Sequence, residues 1–343
     1  MKILVLNTID IATLGSSYAR AFTTLGHEVT QFNPIDILNS NFLYRNKYSR
    51  RFLERIILSR HTTNILDHIL DFKVDMIWVG KGQWALPELW RQYKAIRPQT
   101  ALVCYNPDDP VVTYSRGGNA PWVTKTISCY DLYCTFKSDI VSNLKHLGAK
   151  EIAVIPFAWD PSILPRAQTT NIKYDLLLLA NGDSERARIM IDIISDPRTR
   201  NWKIGIFGHW KKSGHKRLDN IIKPMPYRQN QISEAMANAV VSLNILRRQN
   251  ITSHNLRSFE IPGSGGLSLS QFTEELGSIF PRDEAALYFD TPSDAITQVL
   301  RMKENPDMRH RLIQNAGAIV RGHTFKHRAA DLLTEVSALG RFH

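Results

Sequence analysis

Short apolar runs recurring between helical stretches are what most constrain this chain. In the first half they are Ile3 to Leu6, Val29 to Phe32, Met76 to Val79, Ala101 to Tyr105, Leu132 to Phe136 and Ile152 to Ile155. A strand with one wet face alternates apolar and polar residues, whereas continuous runs mark strands buried on both faces. Such strands alternating with helices specify a parallel sheet covered on both sides. The first helix shows its period in Tyr18, Ala21, Phe22 and Leu25, with Ser16 or Ser17 as its expected cap and Gly26 as its end. The alternation resumes with Tyr174 to Ala180, Trp202 to Phe207, Val240 to Ile245, Leu267 to Leu269 and Leu287 to Phe289. Between the halves, Pro156, Pro161 and Pro165 punctuate a stretch of little periodicity that reads as a linker. A length of 343 residues exceeds one ordinary core. The expected architecture is α/β, with two Rossmann-like domains facing each other across a cleft, 1–165 and 166–343. A last helix, about 327–339, carries an apolar side and should dock.

Composition narrows the class. A hydrophobic fraction of 43% and a charged fraction of 22% fit a soluble globular protein, and no apolar run is long enough to cross a bilayer. Asn7 and Asp10 cut the opening apolar segment short, so it reads as a first strand rather than a signal peptide. Cys104, Cys129 and Cys134 have no metal-ligand spacing and their odd number closes no disulfide framework, which points to a reducing cytoplasm. The net charge of +11 calls for an anionic partner: a phosphorylated substrate, an acidic membrane surface or a nucleic acid. The charge is densest between Asn41 and Arg60, where Arg45, Lys47, Arg50, Arg51, Arg55 and Arg60 face one acid, Glu54. Phe42, Leu43, Tyr44, Tyr48, Phe52, Ile56 and Ile57 interleave them. That pattern suits a lipid interface or a nucleic-acid strand; the plainer reading is a solvated helix packed on its own sheet.

In parallel sheets, ligands bind beyond the carboxyl ends of the strands. Gly15 follows the first strand in an expected loop, Gly80-Lys81-Gly82 follows the third, and Asn106 to Pro110 follows the fourth. Within the last, Asp108 and Asp109 lie between two prolines that restrict the backbone, so a carboxylate there can act on an acceptor hydroxyl. The alternative is a turn whose Asp side chains satisfy their own amides. Asn181 to Arg186 opens a helix whose amides, with Arg186, suit a diphosphate; a plain Asp183 or Ser184 cap is the alternative. Phe207-Gly208-His209-Trp210 offers planar rings for a nucleobase, and Lys211, Lys212, His215, Lys216 and Arg217 follow as a basic loop. Chemistry concentrates between Ser253 and Leu269. Asn255, Arg257 and Glu260 share roughly one helical face, and a Pro262-Gly-Ser-Gly-Gly266 turn should end that helix. Arg meets diphosphate oxygens as a fork, Glu accepts ribose hydroxyls, and the amides at Gly265 and Gly266 take what remains. There is no Gly-x-x-x-x-Gly-Lys-Ser/Thr loop, no dinucleotide fingerprint and no Asp-x-Asp pair to hold a divalent metal.

Asn255-x-Arg257-x-Phe259-Glu260 before Gly265-Gly266-Leu267 carries a family pattern, joined by Tyr174-Asp175, Arg186, Phe207-Gly208 with Trp210, and Ser242-Leu243-Asn244. Glu284 before Tyr288-Phe289-Asp290, His323-Thr324-Phe325 leading to Arg328, Asp75 to Gly82, and Asp108-Asp109-Pro110 extend it over nearly the whole chain. The chain thereby resembles the CgeB-like (spore-maturation) glycosyltransferases, within the family-4 type of GT-B enzymes. The resemblance implies a GT-B fold, with the C-terminal helix crossing back to the N-domain. It implies metal-independent hexosyl or pentosyl transfer from a UDP- or GDP-type nucleotide sugar, with retention. Donor contacts are then expected at Gly15, Arg186, His209, Asn244, Asn255, Arg257, Glu260, Gly265, Gly266 and Leu267, with Asp108 and Asp109 toward the acceptor. Lys81, Arg45, Arg50, Arg51 and Arg55 are expected to meet the acceptor or an anionic surface. Family-4 enzymes carry two glutamates eight positions apart; Glu260 matches the second, but Thr252 stands at the first. A lipid-linked or envelope glycan is the expected acceptor, with the protein peripheral on the inner membrane face. The competing classes are a modified-base nucleic-acid glycosyltransferase, a GT-B nucleotide-binding protein that does not transfer, and a sugar-nucleotide epimerase.

Overall fold

The computed structural model of the chain describes residues 1–112, 119–226 and 228–340, apart from the side chains of Lys47 and Arg51. It divides into two compact units, Met1–Pro156 with the segment from Phe325 onward, and Phe157–Thr324. The division falls at Pro156, ahead of residue 165.

The first unit is one parallel sheet of β1 (Lys2–Leu6), β2 (Glu28–Phe32), β3 (Met76–Gly80), β4 (Ala101–Asn106), β5 (Leu132–Thr135) and β6 (Glu151–Val154), in the order β2-β1-β3-β4-β5-β6. Its helices are α1 (Leu14–Thr24), α2 (Pro34–Asn39), α3 (Phe42–Arg45), α4 (Lys47–Leu70), α5 (Pro87–Ile96), α6 (Val123–Thr126) and α7 (Val141–His146). The chain steps outward from β1 to β2 and then restarts on the other side with β3, so the order reverses between β1 and β3. Continuous apolar sequence and burial agree here: β4 is buried at every residue, while the edge strand β2 is not.

The second unit repeats the plan. Its sheet contains β7 (Tyr174–Leu179), β8 (Ile204–Phe207), β9 (Ile222–Lys223), β10 (Ala239–Asn244), β11 (Ser268–Gln271) and β12 (Leu287–Phe289), in the order β12-β11-β10-β7-β8-β9. The helices are α8 (Ser184–Ser195), α9 (Lys216–Ile221), α10 (Gln229–Ala237), α11 (Arg257–Gly263), α12 (Glu274–Ile279), α13 (Pro292–Glu304) and α14 (Pro306–Val320). The reversal lies between β7 and β10. A final helix, α15 (Phe325–Ala338), belongs to the first unit, where Phe325 meets Tyr18 of α1 edge-on at 5.4 Å.

Three local expectations change, and one strand is added to those expected. Thr13, not Ser16 or Ser17, caps α1, accepting from the Ser16 amide at 3.3 Å; both serines are buried. Gly15 lies in the first turn of α1 rather than in a loop. Pro262 sits inside α11, where it forgoes a single ladder bond, and Ser264 N–H to the Glu260 carbonyl (2.9 Å) continues the turn. The two-residue strand β9 is too short to leave a period in the sequence.

Cys104, Cys129 and Cys134 are free and buried, and burial raises all three thiols. They should resist alkylation in the native protein and react only with unfolding, which a thiol titration across a urea series will show. Among the described residues no helix is long and apolar enough to cross a membrane. Gly208, at the exit of β8, holds φ +141°, and a Cβ there would stand 2.2 Å from the Ala180 carbonyl oxygen. Gly208→Ala should therefore cost about 2–3 kcal/mol in chemical denaturation, since a backbone oxygen cannot swing aside.

Candidate functional site

In the second unit the carboxyl ends of β7 and β10 define the point where ligands collect in sheets of this type. What brings α11 there is Phe259. Its fully buried ring lies against His254 (5.2 Å), His323 (5.6 Å) and Phe280 (5.9 Å), a burial worth about 2–3 kcal/mol. The loop before α11 is anchored by His254, which is itself buried. Its Nε2 accepts from the Phe157 amide at 3.2 Å, and its Nδ1 lies 2.9 Å from the Ser253 hydroxyl. That hydroxyl also donates to Glu275.

Arg257, in the first turn of the helix so positioned, donates from Nε to the Leu179 carbonyl at 3.1 Å and from a terminal nitrogen to Glu260 at 2.5 Å. One guanidinium thus ties the exit of β7 to the carboxylate of Glu260, and both side chains keep part of their surface in solvent. Arg186 stands nearby but is used differently. It is buried, donates to the Ile245 carbonyl at 3.2 and 2.8 Å, and to the Asn181 carbonyl at 2.9 Å. Burial lowers its pKa to about 10, Asp183 opposes, and Arg247 and Arg257 lower it further; it stays charged at neutral pH. It is a clamp across the reversal point, and its donors already hold backbone.

Several other expected donor contacts are likewise committed to the fold. Asn255 precedes α11 rather than sharing its face: its side chain accepts from the Ser258 amide (3.1 Å) and donates to Asn244 (2.8 Å), and Asn244 donates to the Ser258 hydroxyl (3.2 Å). The amides of Gly265 and Gly266 close α11 on the Pro262 and Ile261 carbonyls, at 3.2 and 3.0 Å. Gly265 holds φ +92° with Ala167 O 2.4 Å from where a Cβ would lie, so both glycines and buried Leu267 serve the turn and the sheet. Asp183 caps α8 by accepting from the Arg186 amide at 2.9 Å, with Glu185 in the same turn, an acidic end that repels a diphosphate. His209 is exposed, its amide held by Asn181 at 3.0 Å, whereas Trp210 is fixed to the Ala180 carbonyl at 2.7 Å and packs so close to Gly182 that a Cβ there would meet its ring at 2.5 Å. In the basic loop, Lys211 and Lys212 are exposed, His215 caps α9, and Arg217 donates to the Ile194 and Thr199 carbonyls. Arg247 and Arg248, which sequence reasoning passed over, stand exposed just past β10, with Arg247 3.7 Å from Asp183. Two cations directly after a buried apolar run were the available signal.

The first unit has its own constellation at the β1/β3 reversal. The Asn7 side chain fills a space that only glycine leaves at two neighbours: a Cβ would come within 2.4 Å of it at Gly15 and 2.8 Å at Gly80. Gly15 is therefore a packing position. Lys81 adopts φ +58°, rare for a side-chain-bearing residue, and pairs with Asp108. Asp108 and Lys81 are partly exposed. Asp109, by contrast, is buried, accepts from the Val111 amide at 3.1 Å and lies 3.4 Å from Lys137. The two acids divide, Asp108 facing outward and Asp109 holding its own turn. Lys137, buried, was not anticipated, because a lone Lys after a strand carries no pattern. Arg45, Arg50 and Arg55 are exposed on α3 and α4, with Arg50 over the Tyr44 ring at 5.4 Å; the side chain of Arg51 lies outside the described residues.

These two sheets define a GT-B fold. The chain matches sucrose-phosphate synthase from Thermosynechococcus elongatus with a TM-score of 0.67 at 10% identity, covering 98% of each chain. A trehalose-6-phosphate structure from E. coli bound with UDP-2-fluoro glucose gives 0.68 at 12%, covering 98% of this chain and 99% of that one. A glycosyltransferase from Rickettsia africae gives 0.64 at 11%, covering 98% of each. A family model described as glycosyl transferase-like matches residues 186–334, a span holding Arg186, Arg247, Arg248, Arg257 and Glu260. No curated protein matches the chain. Together these findings show the GT-B fold, with the glycosyl transferase-like match confined to residues 186–334.

If Arg186 is a clamp and not a ligand contact, Arg186→Met should lower stability by about 2–4 kcal/mol in urea denaturation by orphaning the buried Ile245 carbonyl and the part-buried Asn181 carbonyl. A stable variant with lost donor binding would reverse that assignment.

Proposed function

We propose that the protein transfers a hexosyl or pentosyl group from a UDP- or GDP-type nucleotide sugar to an acceptor hydroxyl. The observation that carries this is the Arg257–Glu260 pair, held at 2.5 Å and tied by Arg257 to the exit of β7. Glu260 accepts the ribose hydroxyls. Arg257, with exposed Arg247 and Arg248, offsets charge on the departing diphosphate, so the reading needs no metal. His209 is the exposed ring at the exit of β8 and is assigned to the nucleobase side.

In the first unit, Asp108, oriented by its pairing with Lys81, is assigned to the acceptor hydroxyl. Asp109 is withdrawn from that role. We assign the chain to the CgeB-like group on its sequence pattern, and take retention from the same pattern. The solved structures resembling this chain include a trehalose-6-phosphate synthase studied for glycosyltransfer with retention. A lipid-linked or envelope glycan is the acceptor we favour, over a modified nucleic-acid base.

Glu260→Ala should weaken donor binding about 10- to 100-fold in titration calorimetry with UDP- and GDP-sugars, with an unchanged circular-dichroism spectrum. Unchanged affinity in that folded variant removes the assignment. Donor turnover to free sugar without acceptor separates a transferase from a protein that only binds, and a product isomer in the same assay would indicate an epimerase.

A further inference from the structure

The segment from Phe42 to Ile56 concentrates exposed apolar residues, the bulky rings above all. Phe42 is 68% exposed, Tyr48 and Phe52 are each 81% exposed and Ile56 is 50% exposed. Folding therefore gains little from them. Tyr48, Phe52 and Ile56 are spaced four apart, so they form one stripe along α4. The second part of the same helix behaves normally, with Ile57, Leu58, Ile65, Leu66 and Ile69 buried in the core.

Length explains the contrast. A 24-residue helix runs about 36 Å, whereas the five-residue strands it covers run about 17 Å. α4 leaves β2 by way of α2 and α3 and must return to the amino end of β3, so its surplus length overshoots the carboxyl edge of the sheet. Lys81 and Asp108 lie at that same edge of this unit. Exposed Arg45, Arg50 and Arg55 surround the stripe, and the one acid between Asn41 and Arg60, Glu54, is half-buried.

We propose that this projecting half of α3–α4 is a docking face for an anionic lipid bilayer. It deepens, and rests on, the reading of the acceptor as membrane-linked. The occupant follows from charge and from side-chain type. Guanidiniums meet acidic headgroups, while Phe42, Tyr48 and Phe52 enter the headgroup–acyl boundary. Leu43 and Ile56, both exposed, decide against nucleic acid, since stacking on bases rewards rings and gives an aliphatic side chain nothing.

The test is sedimentation of the full chain with vesicles of phosphatidylcholine alone, and of phosphatidylcholine with an equal part of phosphatidylglycerol. The expected result is binding only to the acidic vesicles, weakened by salt, and about tenfold or more weaker in Tyr48→Ser/Phe52→Ser and in Arg45→Glu/Arg55→Glu. Both pairs are exposed, so folding is preserved. Failure to bind acidic vesicles overturns the proposal, as does binding that the variants leave unchanged. Single-stranded DNA held more tightly than vesicles at matched salt, through the same residues, also overturns it. Calorimetry with a UDP-sugar runs beside it: intact donor binding in a protein that ignores vesicles would sink the docking face and leave the transferase reading standing.

Discussion

The buried guanidinium of Arg186 is the interaction on which the second unit's chemistry depends. Where the strand order reverses, the loops leaving β7 and β10 part from each other. Arg186 enters there from α8 and donates to the exits of both β7 and β10. A neutral donor would hold one carbonyl; a planar five-donor cation holds two at fixed spacing. Burying that charge is costly, and the lowered pKa registers it. The cost is offset by the carbonyls and by Asp183 at 3.5 Å. With the edge rigid, Arg257 can lean on the Leu179 carbonyl and present Glu260 in one orientation.

The first unit solves the same problem without charge. At its reversal point Asn7 occupies the gap, and the neighbouring backbones approach it closely because Gly15 and Gly80 lack a Cβ. The following turn forces Lys81 to a positive φ, with its amide on the Tyr105 carbonyl at 2.9 Å. Strain at that residue costs of order 1–3 kcal/mol and is sustained by the surrounding sheet. It sets Lys81 beside Asp108.

Sheet architecture was legible in the sequence because burial on both faces writes itself as unbroken apolar runs; strands from Ile3 to Phe289 surfaced that way. Site residues were legible by type and place in the strand–helix pattern but not by role. Asn255, Arg186 and Gly265 looked like ligand contacts because polar, cationic and glycine residues at strand exits serve ligands and backbone equally well. Which of the two they serve depends on carbonyls contributed from far away in the chain, such as Ile245 to Arg186. Asp108 and Asp109 show the limit most sharply: adjacent and chemically identical, they are separated only by which side the turn faces.

The net charge of +11 looks different once its residues are placed. Arg309 is buried and donates to the Ala239 and Val240 carbonyls at 2.6 and 2.9 Å, and Arg166 donates to the Pro262 carbonyl at 2.8 Å. With Arg186 and Arg217 they act as carbonyl clamps, and no partner is needed to explain them. Among what remains for partners are the Arg247–Arg257 surroundings in one unit, where Ile251 is exposed, and the Arg45–Arg60 segment in the other. The second adds exposed rings to its aliphatic side chains. A surface that needs charge alone has no reason to hold Phe52 in water, so the apolar exposure, more than the excess of cations, is what calls for a two-part partner with an acidic surface and an oily interior.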